Sequence, residues 1–394
     1  MGLEEYEERL LVLCTYCGNC GSGFLKPFRE EDVVPELSGR LICPPYLKYK
    51  FQSYRPSGRA SIIASLALGK LELSSELAKN AYSCTLCGNC DEICFEKVPV
   101  FRALREDLVK AGVGPLEPSR RIDENIDKTS NVFRGKKEKR SAWSKALNLP
   151  EKGEILYYAG CFNSYFYPEV SRATAGLLSK AGVEVAYLGD NEVCCGNHSF
   201  LDGQTNVGEK QASILLNSID KSGAKTVVTS CSSCYRAFKT DYAERYGKLP
   251  FDVLHITEYL SKLIENRKIT FGREIKKKVS YHDPCSLGRR FRIFEEPREI
   301  IKAIPGTQYV EMQNNRAWSW CCGGGMSVNY FATEELATWS AQQRLKEAAE
   351  AGVEALVTTC PHCMANFRRA AKQAELGIEV LDLTVLAHEA MLLS

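Results

Sequence analysis

Eighteen cysteines stand in this 394-residue chain, and their spacing, more than any other feature, points to chemistry. Cys14, Cys17 and Cys20 follow a C-x-x-C-x-x-C pattern; so do Cys84, Cys87 and Cys90, with Cys94 four residues on. A short loop with this spacing wraps three corners of a 4Fe–4S cube, and the fourth thiolate usually comes from the other motif. Four residues beyond Cys20 lies Phe24, so the first motif takes Cys43, which Pro44 follows, and residues 21–42 read as an insertion. Crossing the fourth ligands gives Cys14, Cys17, Cys20 and Cys94 for one cluster, and Cys84, Cys87, Cys90 and Cys43 for the other. C-x-x-C pairs also hold zinc, but tetrahedral zinc sites usually join one such pair to another, which two triple runs do not match. Two neighbouring cubes conduct electrons and do no substrate chemistry by themselves.

The other ten cysteines form two sets of five in the order C, CC, C-x-x-C. The first set is Cys161, Cys194, Cys195, Cys231 and Cys234; the second is Cys285, Cys321, Cys322, Cys360 and Cys363. Five thiolates are one more than an ordinary cube needs. An adjacent pair places two soft ligands on one turn, and Gly196 or Gly323 is expected to let the backbone approach the metal. Three of the five histidines accompany these sets: His198 three residues after Cys195, His282 three before Cys285, and His362 inside Cys360-Pro361-His362-Cys363. Each is a candidate proton donor, a partner that tunes a sulfur, or a local hydrogen bonder. His255 and His388 sit in apolar periodic segments and are expected to be structural. The run Gly323–Gly325 does not follow a strand in a dinucleotide-binding pattern, and no G-x-G-x-x-G with an acidic residue downstream is present. Flavin or nicotinamide is therefore expected on a partner chain.

The elements that must position these residues follow from periodicity. Residues 1–129 read as a helical domain, with Ser57 expected to cap a helix over 57–71 and further helices at 74–82 and 98–111. Residues 130–153 read as a solvated basic linker, carrying Gly-Lys-Lys-Glu-Lys-Arg at 135–140. Residues 154–270 and 271–394 repeat one pattern: short apolar runs ending at cysteines, alternating with helical stretches at 169–181, 208–222, 334–351 and 365–375. Strands alternating with helices imply two α/β units with small parallel sheets, the cysteines lying beyond the strands' C-terminal ends, where open α/β sheets place ligands. The fold class is α+β overall, an all-α double-cluster domain followed by two α/β repeats. Composition agrees with a globular protein: 44% hydrophobic, 25% charged. A net charge of +2 gives no basic surplus for nucleic acid. No apolar run nears the ~18 residues that span a bilayer, and the acidic N-terminus is the reverse of an export signal. A cytoplasmic chain, or one held at the cytoplasmic membrane face by a partner, is expected, and cysteine at this density there points to metal rather than disulfides.

The words Tyr-Tyr-Ala-Gly-Cys161, Cys194-Cys195-Gly, His-Asp-Pro-Cys285, Cys321-Cys322-Gly-Gly-Gly and Cys360-Pro-His-Cys363 resemble the cysteine-rich CCG domain of heterodisulfide reductase catalytic subunits. With a double ferredoxin ahead of two such domains, the chain resembles the fused, single-chain form of that subunit over nearly its whole length. The resemblance implies a non-cubane 4Fe–4S cluster on each complete set of five, beside the two cubanes. It further implies that the two clusters face a shared cavity and split a disulfide by one-electron steps. The architecture is also similar to the iron–sulfur subunit of glycolate and D-lactate dehydrogenases, which passes electrons from a flavoprotein to a carrier or quinone. Those chains often lack some CCG cysteines, whereas both sets here are complete. Two departures bear on the fourth ligands: Cys94 precedes Phe95 rather than proline, and an insertion precedes Cys43. Expected partners are a flavoprotein or membrane-cytochrome subunit and a small-molecule disulfide. Two roles remain open, a disulfide-reducing oxidoreductase and a non-catalytic electron conduit.

Overall fold

A computed structural model describes residues 43–94 and 100–391. Cys14, Cys17 and Cys20 lie outside the described residues. Within 43–129 the described backbone is helical, with helices Pro44–Tyr49, Pro56–Ala67, Ser75–Ser83, Val100–Lys110 and Glu117–Thr129. Ser74 caps its helix as a good N-cap residue should, accepting from Leu77 N at 3.2 Å. Ser57 does not cap. The preceding helix starts one residue earlier, with Pro56 preorganised in its first turn and Arg55 extended at the cap position.

The rest of the chain forms two sheets of four strands. The first contains β1 (Ile155–Tyr158), β2 (Val185–Ala186), β3 (Thr226–Thr229) and β4 (Asp252–His255). The second contains β5 (Lys277–Tyr281), β6 (Thr307–Tyr309), β7 (Ala355–Thr358) and β8 (Glu379–Asp382). The strand orders β2-β1-β3-β4 and β6-β5-β7-β8 are the same, and every pair is parallel. The central strands are buried on both faces, which is why they read as continuous apolar runs rather than alternating ones. β2 and β6 give no comparable signal, being only two and three residues long. In each sheet the chain winds one way from the first strand and the other way from the third. The crevice at this reversal is the ligand position of doubly wound sheets. Cys161 follows β1 and Cys231 follows β3; Cys285 follows β5 and Cys360 follows β7.

The repeats pack through one apolar core that takes Tyr157 and Val228 from the first sheet and Val279, Tyr281 and Val357 from the second. Helix Pro168–Lys180, after β1, lies on helix Leu383–Ala390, after β8. Helix Ile256–Glu265, after β4, lies on helix Glu295–Ala303, after β5. This reciprocal pairing is what a pseudo-twofold arrangement requires. The helical domain joins the same body: Ile63, Ala81, Tyr82 and Leu108 pack with Leu201 from the first repeat and Met326 and Val328 from the second.

Residues 130–153, expected as a solvated linker, carry buried side chains. Trp143 is 2% exposed and meets Tyr157 and Tyr187 edge-on and tilted, at centroid distances of 5.6 and 4.6 Å. Trp143→Ala is expected to cost about 3–5 kcal/mol, as for large aromatic deletions in cores. Denaturant unfolding under anaerobic conditions measures this; a loss below about 1 kcal/mol would show that the segment merely rests on the core.

Candidate metal centres

Cys84, Cys87 and Cys90 lie on the loop that leaves helix Ser75–Ser83, and Cys43 stands at the N-terminus of helix Pro44–Tyr49. The four line one cavity of about 390 Å³, together with Arg59 and Arg290; Cys94 is not part of that lining. None of the described cysteines is in a disulfide. Four convergent soft thiols around one cavity are the donor set of an iron–sulfur cube. Burial pushes the Cys43 thiol up to about 12. Cys87 moves the other way, to about 5, chiefly through a hydrogen bond with the Cys321 thiol. Cys87 belongs to the helical domain and Cys321 to the second repeat, so these two cysteine groups touch.

All five cysteines of the first set line a single small space, with His198, His362 and Ser327. Cys195 Sγ and Cys234 Sγ are 3.5 Å apart. Cys231 caps helix Ser232–Arg236, its sulfur accepting from Cys234 N at 3.4 Å. In the adjacent pairs, Gly196 N donates to Cys194 Sγ at 3.4 Å and Gly323 N to Cys321 Sγ at 3.3 Å, the same device in both repeats. Gly196 and Gly323 have φ of +72° and +87°, and an added Cβ would stand 2.8 Å from Gly208 O and 2.7 Å from Ala337 O. Glycine is needed there also because another helix backbone comes close on the side away from the sulfur-bound amide. In the second set, thiols of Cys285, Cys321, Cys322, Cys360 and Cys363 are linked by successive hydrogen bonds and charge contacts. In donor number and softness, both sets suit iron–sulfur ligation.

The two C-x-x-C loops face each other. Ser232 Oγ donates to Thr359 O at 2.8 Å, and Ser233 Oγ lies 3.9 Å from Cys360 Sγ. His362 Nδ1 stands 3.9 Å from Cys231 Sγ and 4.0 Å from Cys360 Sγ, between the two sets. Burial opposes a charge on His362, but the two sulfurs outweigh it and hold the imidazole up at about 10. The ligand atoms of His282, Cys322 and Cys363 lie within 4.8 Å of one another. Burial pushes His282 down, against the neighbouring Cys322. His198 has both ring nitrogens engaged by hydroxyls, Nε2 with Ser119 Oγ at 3.0 Å and Nδ1 with Ser327 Oγ at 2.8 Å. His255 caps helix Ile256–Glu265 in a capping box, and His388 is half-buried, lying against Gly176.

Sequence reasoning missed the cations around the sulfurs. Arg140 Nη2 donates to Cys161 Sγ at 3.2 Å, and Nη1 donates to Glu192 Oε1 at 3.1 Å. Glu192 in turn accepts from Ala159 N at 2.9 Å and Gly160 N at 3.1 Å, fixing the turn that presents Cys161. Arg140 ends the run expected to be solvated; the residues at 136–139 are exposed, while Arg140 is buried. Arg289, 5% exposed, donates to Cys87 O at 3.3 Å and is held charged by Cys87, Cys285 and Cys321, against the cost of its burial. Arg344 Nε donates to His282 Nδ1 at 3.3 Å.

Residues 11–98 match the family described as 4Fe-4S dicluster domain, and residues 155–239 and 279–368 each match the one described as Cysteine-rich domain, CCG. The chain is 31% identical to a subunit of the dihydromethanophenazine:CoB–CoM heterodisulfide reductase of Methanosarcina barkeri, over 98% of this chain and 95% of that one. It is 30% identical to a subunit of the fumarate reductase (CoM/CoB) of Methanothermobacter marburgensis, over 98% of this chain and 74% of that one. It is also 30% identical to the EtfAB:quinone oxidoreductase of Syntrophomonas wolfei, over 80% of this chain and 47% of that one. Among the described residues no helix is long and apolar enough to cross a membrane. With its dicluster domain, its two complete CCG repeats and its full-length likeness to the Methanosarcina protein, the chain belongs to the heterodisulfide reductase family of iron–sulfur electron-transfer subunits.

Proposed function

We propose that this chain reduces a small-molecule disulfide, such as the heterodisulfide of two thiol coenzymes, between its two CCG repeats. In this reading all 18 cysteines are ligands. Cys14, Cys17, Cys20 and Cys94 hold one cubane, Cys43, Cys84, Cys87 and Cys90 the other, and each set of five holds a non-cubane cluster. When bound, the clusters supply electrons one at a time. The observation that carries the reading is the position of His362, 3.9 Å from a sulfur of one set and 4.0 Å from a sulfur of the other. Cleavage of a disulfide takes two electrons and two protons and releases two thiols. His362 is the residue placed to hold such a proton, beside sulfurs of both sets and shielded from bulk water, and His282, beside Cys322 but pushed by burial towards its neutral form, is the candidate second carrier. His198 is assigned an orienting part, since hydroxyls occupy both its nitrogens.

Electrons enter through the helical domain from a partner, a flavoprotein or a membrane cytochrome, at the cytoplasmic face. The contact between Cys87 and Cys321 favours the second repeat as the first to receive them. A relay without substrate chemistry is the second reading, favoured by the same Cys87–Cys321 contact, which joins the two cysteine groups directly.

Anaerobic metal analysis is expected to find about 16 irons per chain, four for each of four clusters. About eight irons with stoichiometric zinc would make the repeats zinc sites instead. Cys195→Ala and Cys322→Ala, made separately, are expected to abolish disulfide turnover while a dye is still reduced through the N-terminal clusters. A parallel fall of both activities in each variant would make the repeats relays. Arg289→Met removes a buried positive charge beside Cys87 and Cys321. It is expected to lower the potential of the neighbouring clusters by on the order of 60 mV, a tenfold change in a one-electron equilibrium, with iron content unchanged. Redox titration followed by electron paramagnetic resonance reads this, and an unmoved midpoint would place the electron path elsewhere.

A further inference from the structure

A second group of ligand-type side chains adjoins the first cysteine set through His198, where the helical domain meets both repeats. Helix Glu117–Thr129 presents Ser119 and Asp123, one turn apart, and helix Asn197–Asp202 presents His198 and Asp202, also one turn apart. The ligand atoms of Asp123, His198 and Asp202 all lie within 4.8 Å of one another, and the three residues are 3%, 2% and 0% exposed. Two carboxylates this deep need a counter-charge or hydrogen bonds. These needs are only partly met: none of the four carboxylate oxygens has an ordinary hydrogen-bond partner, and the Asp123 carboxyl lies against Asp202 and the buried Ser199 hydroxyl. His198 Nε2 lies 4.0 Å from Asp202 Oδ2, but burial pushes this imidazole down towards its neutral form. Arg105, which also faces Asp202, is engaged by the carbonyls of Leu201 and Cys84 at 2.8 and 2.5 Å. Burial and the Asp202 charge push the Asp123 carboxyl well up, which is the electrostatic cost of this arrangement without a cation.

The imidazole is already oriented for ligation. Its Nδ1 is paired with Ser327 Oγ at 2.8 Å. If the proton sits on Nδ1, Nε2 is the unprotonated nitrogen, 3.0 Å from Ser119 Oγ and 4.0 Å from Asp202 Oδ2, and metal-binding histidines are commonly fixed in this way by a partner on the other nitrogen. Ser119 Oγ, 3.0 Å from Nε2, offers a fourth donor, an oxygen. We propose that Asp123, His198 and Asp202 bind one divalent cation of the hard-to-borderline class, represented by Mn²⁺, as a staple between the helical domain and the repeats. Two carboxylates and one imidazole suit such an ion, whereas the thiol sets suit soft ones. The staple has contacts on each side: Tyr82 Oη donates to Asp202 O at 2.6 Å, and Asn197 Nδ2 donates to Met326 O at 3.3 Å.

The test is Mn²⁺ titration of the chelator-treated, cluster-loaded protein under anaerobic conditions, with the free six-line Mn²⁺ resonance and the thermal midpoint as readouts. Mn²⁺ serves because it competes poorly for thiolates. The wild-type chain is expected to take up one equivalent and to melt at a higher temperature. Asp123→Asn and Asp202→Asn are expected to weaken uptake by about 100-fold or more, and Ser327→Ala, which keeps every ligand, by about 10- to 100-fold. Iron per chain, measured in the same samples, stays constant and separates this site from the clusters. If either Asn variant fails to fold, Ser327→Ala alone carries the comparison. Mn²⁺ that stays free in the wild type, or uptake unchanged in the variants, overturns the proposal. So does free Mn²⁺ together with a protonated-carboxyl infrared band that Asp123→Asn removes, since the pair would then share a proton instead.

Discussion

Sulfur held in a dry interior is the constraint on which this structure turns. Thiolates are the form that ligates metal, and burial alone drives thiols the other way, as at Cys43. The fold answers with buried guanidinium groups. Arg59 lowers Cys43, Arg105 lies by Cys84, Arg140 donates to Cys161, and Arg289 stands among Cys87, Cys285 and Cys321. Arginine suits this task because it stays charged when buried and its planar fork reaches a sulfur and a carbonyl or carboxylate together. Arg140 does so, with Cys161 Sγ, Ser130 O and Glu192 all within 3.2 Å. Backbone amides add to this through Gly196 and Gly323, where only glycine tolerates both the positive φ and the packed helix behind it.

The repeated sheets explain how ten cysteines from distant parts of the chain converge. Each sheet reverses its winding between the first and third strands, so loops leaving those two strands open onto the same crevice. Reciprocal packing of the helices then turns the two crevices toward each other, leaving the C-x-x-C loops in contact through Ser232, Ser233 and His362. No single loop contains both halves of that contact; it follows from the relation between the repeats.

The cysteine groups, the two repeats and the principal strands were legible because each leaves a local mark: fixed spacing, recurrence, or an apolar run. Cys43, assigned to Cys84, Cys87 and Cys90 by pattern, lines a cavity with them. The counter-charges were not legible. Arg289 and Arg290 are adjacent and alike in sequence, yet Arg289 is buried against Cys87 O, 202 residues away, while Arg290 is exposed. Arg140 and Glu192 are 52 residues apart, and Asp123 reaches His198 across 75. Such pairings are made by tertiary packing and leave no periodicity. The short strands β2 and β6 were missed for a different reason, being below the length at which a pattern can be told from chance.

The repeats nonetheless meet the same electrostatic demand in different ways. In the first, the cation beside the opening cysteine comes from outside the repeat: Arg140 precedes β1 and is fixed there by Glu192, while Trp143 anchors the same segment in the core. The second repeat has no such preceding segment and draws on its own helix. Arg298, fully buried on helix Glu295–Ala303, binds Asp283 at 2.7 and 3.0 Å and Glu311 at 2.8 Å, holding the turn before Cys285. That leaves the outer side of Cys285 and Cys321 open to the helical domain, and Arg289 and Cys87 occupy it. The asymmetry follows the neighbours: residues 130–153 reach the first set through Arg140, and the helical domain reaches the second through Cys87. Two like sheets can therefore have unlike neighbours, one side closed by its own chain and the other joined to the N-terminal cysteines.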